Sequence, residues 1–271
     1  MNTWLKLIFI LSFFVTLIGL IGIFMAKDKF VNTKKNLVFT SAGDNTDFYK
    51  NWLGGNRNYD VFVVYYGDDD QKFNKYKSLV DKIWRRKGSK FQNFYYLYKN
   101  FPHEILNYDA FYIVDDDIIM STNDINKLFD TLYKYRLSIC QPSFTNDSKI
   151  SHEITLQIPG NILRYTNFVE VNTPVFSKDA LIKMMKYYDE SLIGWGIDYL
   201  YIWANGINEK DKYAVIDNIR CINPKDDYKK DGRELNKINN YETRHLSWYK
   251  VADRYGIPHT WENKTYSIVK E

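Results

Sequence analysis

Three carboxylates in a row, Asp115, Asp116 and Asp117, end the apolar run Ala110 to Val114, and the chain turns apolar again at Ile118. Adjacent acids repel one another, and at a strand end that repulsion is costly unless a cation sits among them. A hard divalent ion such as Mg²⁺ or Mn²⁺ answers the need, because it prefers carboxylate oxygen. An acidic turn would give the same triplet without chemistry, since Asp favours turns. The second stretch with chemical potential is Gly194-Trp195-Gly196-Ile197-Asp198. Two glycines around a tryptophan make a tight backbone that projects a large ring, and an exposed ring suits stacking on a sugar. Asp198 stands at the start of a helical pattern, where its charge meets the positive end of the helix dipole. A capping Asp and a core Trp are the non-functional equivalents. Both stretches in one chain favour function.

The elements around these residues are read from periodicity. Asn36 to Ser41 is a strand that ends in Ala42-Gly43-Asp44-Asn45. Tyr59 to Tyr66 is a second, buried strand, ending in Gly67-Asp68-Asp69-Asp70. Phe73 to Trp84 has apolar residues at helical spacing. Arg85, Arg86, Lys87 and Lys90 form a basic cluster that could face phosphates or simply be solvated. Phe91 to Leu97 reads as a third strand, Pro102 opens a short helical segment, and Ala110 to Val114 is the fourth strand. Strands alternate with helices and bring acids to strand ends. That pattern predicts a mostly parallel α/β sheet with ligands beyond the carboxyl ends of its strands. The chain has neither a Walker loop nor a G-x-G-x-x-G.

Beyond the triplet, Ser121 or Thr122 caps a helix to about Tyr135, with Ile125, Leu128, Phe129 and Leu132 as its apolar face. Leu137 to Gln141 is a strand, Phe144 to Gln157 is polar and irregular, Phe168 to Ser177 is strand-rich, and Lys178 to Asp189 is helical. The tail holds a strand-like segment at Cys221, a polar loop from Pro224 to Glu234 and an amphipathic segment from Tyr241 to Tyr255. His245 and His259 lie in or near that segment and could reach back to a metal.

Composition narrows the classes. The 271 residues carry a formal net charge of +4 with no long basic block, which argues against a nucleic-acid partner. Tyr and Phe number 23 and 17, a bias that can come from an AT-rich genome and is therefore discounted. Cys140 and Cys221 could pair, but their apolar surroundings favour buried free thiols. Leu7 to Ala26 carries no charge and is long enough to span a bilayer. No cleavage site follows it, so residues 1–29 read as an uncleaved single-pass membrane anchor, 30–35 as a short stem and 36–271 as the catalytic domain. Lys27, Lys29, Lys34 and Lys35 place the domain on the cytoplasmic side. The sequons at Asn146 and Asn263 point to an endomembrane, Golgi-like location, so orientation stays open.

Ile113 to Ile118 (IVDDDI) and Gly194 to Asp198 (GWGID), in this order and spacing, resemble the motifs of nucleotide-sugar-dependent glycosyltransferases of the GT-A fold. The first is similar to the Asp-x-Asp metal motif, the second to the Gly-Trp-Gly and acidic segment of inverting members. The chain is also similar to a group of uncharacterised glycosyltransferase-like proteins with a Gly-Trp-Gly-hydrophobic-Asp segment. The resemblance spans about Asn36 to Tyr201. It implies a GT-A-like, Rossmann-type mixed sheet flanked by helices, behind the transmembrane helix. It further implies a metal-dependent glycosyltransferase with a UDP- or GDP-sugar donor and a glycan or lipid-linked acceptor. Asp115 or Asp117, with Asp117 first, would hold Mn²⁺ or Mg²⁺, and Asp116 would hold ribose or sugar. Asp198 would be the general base of an inverting transfer. Trp195, between Gly194 and Gly196, would stack on the acceptor. Thr40, Ala42, Asp44 and Asp68 would line the nucleotide, and His245 or His259 would be a further metal ligand. One departure stands out: Ile197 precedes Asp198 where many members carry a second acid. Two other classes fit less of the sequence. A catalytically inactive sugar-binding or scaffold protein would keep the fold alone. A phosphatase with a nucleophilic Asp needs a Thr after its acids, where Ile118 and Ile119 stand.

Overall fold

The strand β1 (Asn36–Ala42) is buried along its whole length, which places it in the middle of the molecule. Its side chains alternate as a strand requires. Leu37 and Phe39 enter one apolar core, and Val38 and Ala42 enter another on the opposite face. In this computed structural model, residues 35–225, Ile238 and 240–271 are described. The anchor read at Leu7 to Ala26, and all of the stem but Lys35, lie outside the described residues. Among the described residues no helix is long and apolar enough to cross a membrane.

The remaining strands are β2 (Tyr59–Tyr65), β3 (Lys82–Arg85), β4 (Ala110–Ile113), β5 (Ile139–Phe144), β6 (Asn161–Thr166), β7 (Val175–Ser177), β8 (Tyr213–Cys221) and β9 (Thr265–Lys270). They form one mixed sheet in the order β3-β2-β1-β4-β7-β5-β8-β6-β9. The first four are parallel neighbours, so their carboxyl ends share one edge. From β4 onward the sheet changes character. The short β7 runs antiparallel to both β4 and β5, β5 and β8 are parallel, and β6 pairs antiparallel with β8 and β9.

Helices cover both faces. α1 (Phe48–Asn51), α2 (Asp70–Lys77) and α5 (Thr122–Lys134) sit over one core. α3 (Lys90–Asn100), α6 (Lys178–Met185), α7 (Ile197–Asn205) and α8 (Tyr241–Tyr255) sit over the other, and α4 (Pro102–Ile105) adds a single turn. α5 begins as expected, with Ser121 Oγ accepting from the Asp124 N–H, and it buries Ile125, Leu128, Phe129 and Leu132. Across the other core, the rings of Phe39 and Phe94 meet edge to face at 5.0 Å, a geometry worth about 0.5–1.5 kcal/mol beyond area burial. Cys140 and Cys221 are buried free thiols.

Several expectations are corrected. Phe91 to Leu97 is helix α3, not a strand: Gln92 Oε1 accepts from the Ser89 N–H at 2.9 Å, half of a capping box, and Phe91, Phe94 and Leu97 face inward at helical spacing. The helix read to Trp84 stops at Lys77, where Ser78 Oγ donates back to the Lys75 carbonyl at 2.7 Å. The chain then re-enters the sheet as β3, with Trp84 packed on Phe62. Within Phe168 to Ser177 only Val175–Ser177 is a strand. The strand-like segment at Cys221 is the end of the nine-residue β8.

Candidate active site

The acid triplet leaves β4 at the carboxyl edge of the parallel strands, as the strand-end rule requires. Asp115 and Asp116 have different local roles. Asp116 turns back toward β1: the Gly43 N–H donates to its Oδ2 at 3.0 Å, and Thr46 Oγ1 donates to its carbonyl at 2.7 Å. Burial first, and the neighbouring Asp117 second, push its carboxyl up to about 7. Asp115 is fixed by the Asn172 carbonyl, which accepts its N–H at 3.0 Å. Its side chain pairs with the Lys90 ammonium at 2.8 Å.

Lys90 belongs to the basic cluster that the sequence leaves open between phosphate contacts and solvent. It opens α3, only 10% of its side chain is exposed, and its ammonium also donates to the carbonyls of Val171 and Asn172 at 2.7 and 3.0 Å. Arg86 is partly buried as well, its Nη1 donating to the buried Asn93 Oδ1 at 2.6 Å, whereas Arg85 and Lys87 face outward. Arg85 pairs with Asp70 at 2.7 Å and Lys87 with Asp68 at 2.7 Å.

On the β1 and β2 side, Asp44 organises its own loop. Tyr65 OH donates to its Oδ1, the amides of Asp68 and Asp69 donate to its carboxylate at 3.3 Å each, and Lys72 Nζ donates to its carbonyl at 2.6 Å. Burial raises the Asp44 pKa, but these hydrogen bonds outweigh it and hold the carboxyl below its usual value. A Cβ on Gly67 would stand 2.1 Å from Asp44 Oδ1, so only glycine lets the two turns meet. Thr40 and Ala42 are fully buried within β1 and Gly43 is buried after it, which leaves the half-buried Asp44 at the edge. Asp68 is exposed beside Lys87.

The second motif begins α7. Gly196 caps that helix at φ 87°, and a Cβ there would stand 2.2 Å from Trp248 Cδ2. Glycine is therefore required twice over, by its backbone angle and by the ring beneath it. Asp198 follows in the first turn, 7% exposed, with its Oδ1 accepting from the Tyr199 N–H at 3.0 Å. Burial pushes its carboxyl up to about 7. Trp195 is half-buried, and its ring lies against His245 with centroids 4.2 Å apart. Its indole Nε1 is buried without a hydrogen-bond partner.

Glu170 lies between the two motifs and was not anticipated. It sits in the β6–β7 connection, in the apolar run Phe168-Val169-Glu170-Val171, and is 3% exposed. Burial first, and the charge of Asp198 second, push it up to about 8, with Asp115 and Lys90 also acting on it. One electrostatic cluster thus joins Lys90, Asp115, Glu170 and Asp198. The signal in the sequence was a lone acid inside an otherwise strand-like apolar stretch.

The histidines are engaged elsewhere. His245 Nδ1 lies 2.9 Å from the Tyr241 carbonyl. His259 Nε2 lies 2.8 Å from Asp253 Oδ1, and its ring stacks on Tyr249. Among the described residues no three His, Cys, Asp or Glu side chains come together as a metal-holding group. An ion held at the triplet would meet carboxylate oxygen only, with the Asp115 carboxylate already paired to Lys90. That fits a Mg²⁺-type ion held by one or two carboxylates and otherwise by substrate phosphates and water.

No protein-family model and no curated protein sequence matches this chain. Solved structures do. The chain is similar to S. aureus TarS 1-349 in complex with UDP-GlcNAc, at 10% identity and TM-score 0.54, over 81% of this chain and 66% of that one. It is similar also to S. aureus TarS, at 11% identity and TM-score 0.48, over 81% of this chain and 40% of that one. With GalNAc-T7 bound to UDP, GalNAc and Mn²⁺ the identity is 10% and the TM-score 0.49, over 81% of this chain and 47% of that one. The chain thus spans between 40% and 66% of the length of these three solved chains. The likeness to the UDP-GlcNAc complex, together with the mixed sheet and its flanking helices, gives this chain a GT-A-like glycosyltransferase fold.

Proposed function

We propose that this chain is a metal-dependent, inverting glycosyltransferase that moves a sugar from a nucleotide-sugar donor to a glycan or lipid-linked acceptor. The observation that carries the reading is the electrostatic cluster. The acid triplet after β4 and Asp198 at the start of α7 act on the same buried Glu170. That supports a reading in which a donor diphosphate side and an acceptor side adjoin at Glu170.

Each residue then has a role set by its surroundings. Asp115 and Asp117 would hold Mn²⁺ or Mg²⁺. When bound, such an ion offsets charge on the departing nucleoside diphosphate. Gly43 and Asp44, at the edge of β1, face the nucleotide. Asp198 takes the proton from the acceptor hydroxyl as its oxygen attacks the anomeric carbon and the bond to the diphosphate breaks. A carboxyl titrating near 7 is suited to that task, because the best base has a pKa near the working pH. Attack from the face opposite the leaving group inverts the anomeric centre. Trp195 offers a ring face to the acceptor.

A second reading, a sugar-binding protein without transfer, draws on the Lys90–Asp115 ion pair. That pair already sets a positive charge among the acids. One experiment separates the two. The full chain is incubated with Mn²⁺ and a panel of UDP- and GDP-sugars, and release of nucleoside diphosphate is followed. Under the first reading, release depends on metal and is lost in Asp117→Ala. Transfer falls by about 10²- to 10⁴-fold in Asp198→Asn, while donor binding persists. Donor binding with no metal-dependent release from any donor supports the second. A product whose anomeric configuration matches the donor by NMR removes the role given to Asp198.

A further inference from the structure

Glu170 holds a buried oxygen that the protein does not satisfy. Its Oε1 accepts from the Asn172 side-chain amide at 2.8 Å. Its Oε2 is buried and has no hydrogen-bond partner. Leaving a buried carboxyl oxygen unpaired costs stability, so a site that keeps one has a use for it.

The Ser151 hydroxyl acts on the Glu170 carboxyl and favours its charged form, yet Oε2 keeps no hydrogen bond of its own. The Lys90 ammonium is taken up by Asp115 and by the carbonyls of Val171 and Asn172. Asp198 and Asp115 are acids themselves and favour the protonated form of Glu170. A phosphate would face the Asp115 carboxylate while the Lys90 ammonium is already engaged. A neutral hydroxyl meets no such penalty, and it can bond a carboxyl in either protonation state.

Position narrows the ligand further. Glu170 is tied toward both sides: its partner Asn172 accepts the Asp115 N–H, on the side assigned to the diphosphate, and the preceding Val169 carbonyl accepts from Tyr201 of α7, the helix of Asp198, on the side assigned to the acceptor. In a transfer reaction the group between leaving diphosphate and base is the sugar in transit. We propose that Glu170 binds a hydroxyl of the transferred sugar through its unpartnered oxygen and so selects the donor. This inference rests on the glycosyltransferase reading given above.

The test is a binding series on the full chain. Titration calorimetry first compares UDP and GDP with UDP-glucose, UDP-galactose, UDP-N-acetylglucosamine and GDP-mannose. For the conjugate that binds, each monodeoxy analogue of its sugar follows, against wild type, Glu170→Met and Glu170→Gln. Met keeps the volume of the side chain and removes its polarity. One monodeoxy donor is expected to bind wild type about 10- to 100-fold more weakly than the parent, the range for one hydrogen bond to a charged or buried group. Glu170→Met should weaken the parent donor by the same factor, leave the bare nucleotide unchanged and bind that deoxy analogue no worse than the parent. Glu170→Gln, which keeps a hydrogen-bonding group, should recover part of the loss.

Equal weakening of bare nucleotide and nucleotide-sugar in Glu170→Met would overturn the proposal, because it marks a structural role. So would a wild type that binds every monodeoxy donor like the parent, a result that needs no variant to fold. Either leaves the glycosyltransferase reading standing. A wild type that binds neither nucleotide nor any conjugate removes that reading, and the role of Glu170 with it.

Discussion

As the proposed base, Asp198 would work only when ionised, and its surroundings decide when that is. Burial lifts its carboxyl from the usual range to about 7, so below that value it holds its proton. The transfer rate should therefore rise with pH up to about 7 and level off above it, falling about tenfold per unit on the acid side. A profile of kcat/KM from about pH 5 to about pH 9 checks this, bracketing the shifted group. A flat profile across the acid range would remove Asp198 as the base. Lys90 teaches a different lesson at this scale. Arg85, Arg86, Lys87 and Lys90 look alike in sequence, yet only Lys90 turns inward to an acid of the triplet. The need for a cation among the three acids was legible. That the chain supplies one itself, from the first residue of α3, depends on a fold that brings Lys90 to Asp115. Spacing along the sequence does not encode that meeting.

The start of α7 is where one element decides the chemistry. Gly196 combines a left-handed backbone with a ring at van der Waals distance, so Gly196→Ala adds strain and overlap together. The expected loss is about 2 kcal/mol or more, read from urea denaturation. Transfer should fall further than stability alone explains, because the turn that aims Asp198 shifts. Stability within about 0.5 kcal/mol of wild type, the range of ordinary surface changes, would contradict this account. The glycines of GWGID were legible as a tight turn. Their reason, Trp248 of α8 lying beneath, was not, since the contact spans the chain between the two helices. The misreading of α3 as a strand has another cause. Phe91, Phe94, Tyr95 and Tyr96 give it a strand-like aromatic density, whereas the Ser89-x-x-Gln92 cap that announces a helix is two residues among many. β3 was lost because a continuous apolar spacing hid the stop at Ser78.

At the scale of the molecule, the two halves of the sheet are held differently. The parallel half is a stack of apolar strands. The other half carries a buried ion pair: Arg164 on β6 meets Asp217 on β8 through Nε at 2.8 Å and Nη2 at 3.0 Å. Asp217 also accepts from the Ile158 N–H at 3.0 Å and the Asn161 amide at 3.1 Å, and Arg164 reaches the Leu156 carbonyl at 2.7 Å. Replacing Asp217 with Asn strands a buried guanidinium, and the expected cost is about 3–5 kcal/mol in a denaturant titration. A loss below about 1 kcal/mol, typical of an exposed pair, would show that water reaches the site. The strand–helix alternation of the first half made the α/β class readable. β6, most of β8 and β9 were not, because antiparallel partners so distant in sequence leave little local mark.

The separations that hide these contacts from sequence also govern when they form. Gly43 meets Asp116 across 73 residues, and Lys90 meets Asn172 across 82. Closing loops of that length is slow, and non-local pairing comes late in folding. A chain leaving the ribosome makes β1 to β4, with the triplet and Lys90, before Glu170 and Asp198 have been synthesised. The acids that would hold a diphosphate thus exist for a time without the carboxyls that would choose a sugar and activate an acceptor. Under the glycosyltransferase reading, the site is complete only once Asp198 has been made and has met the triplet.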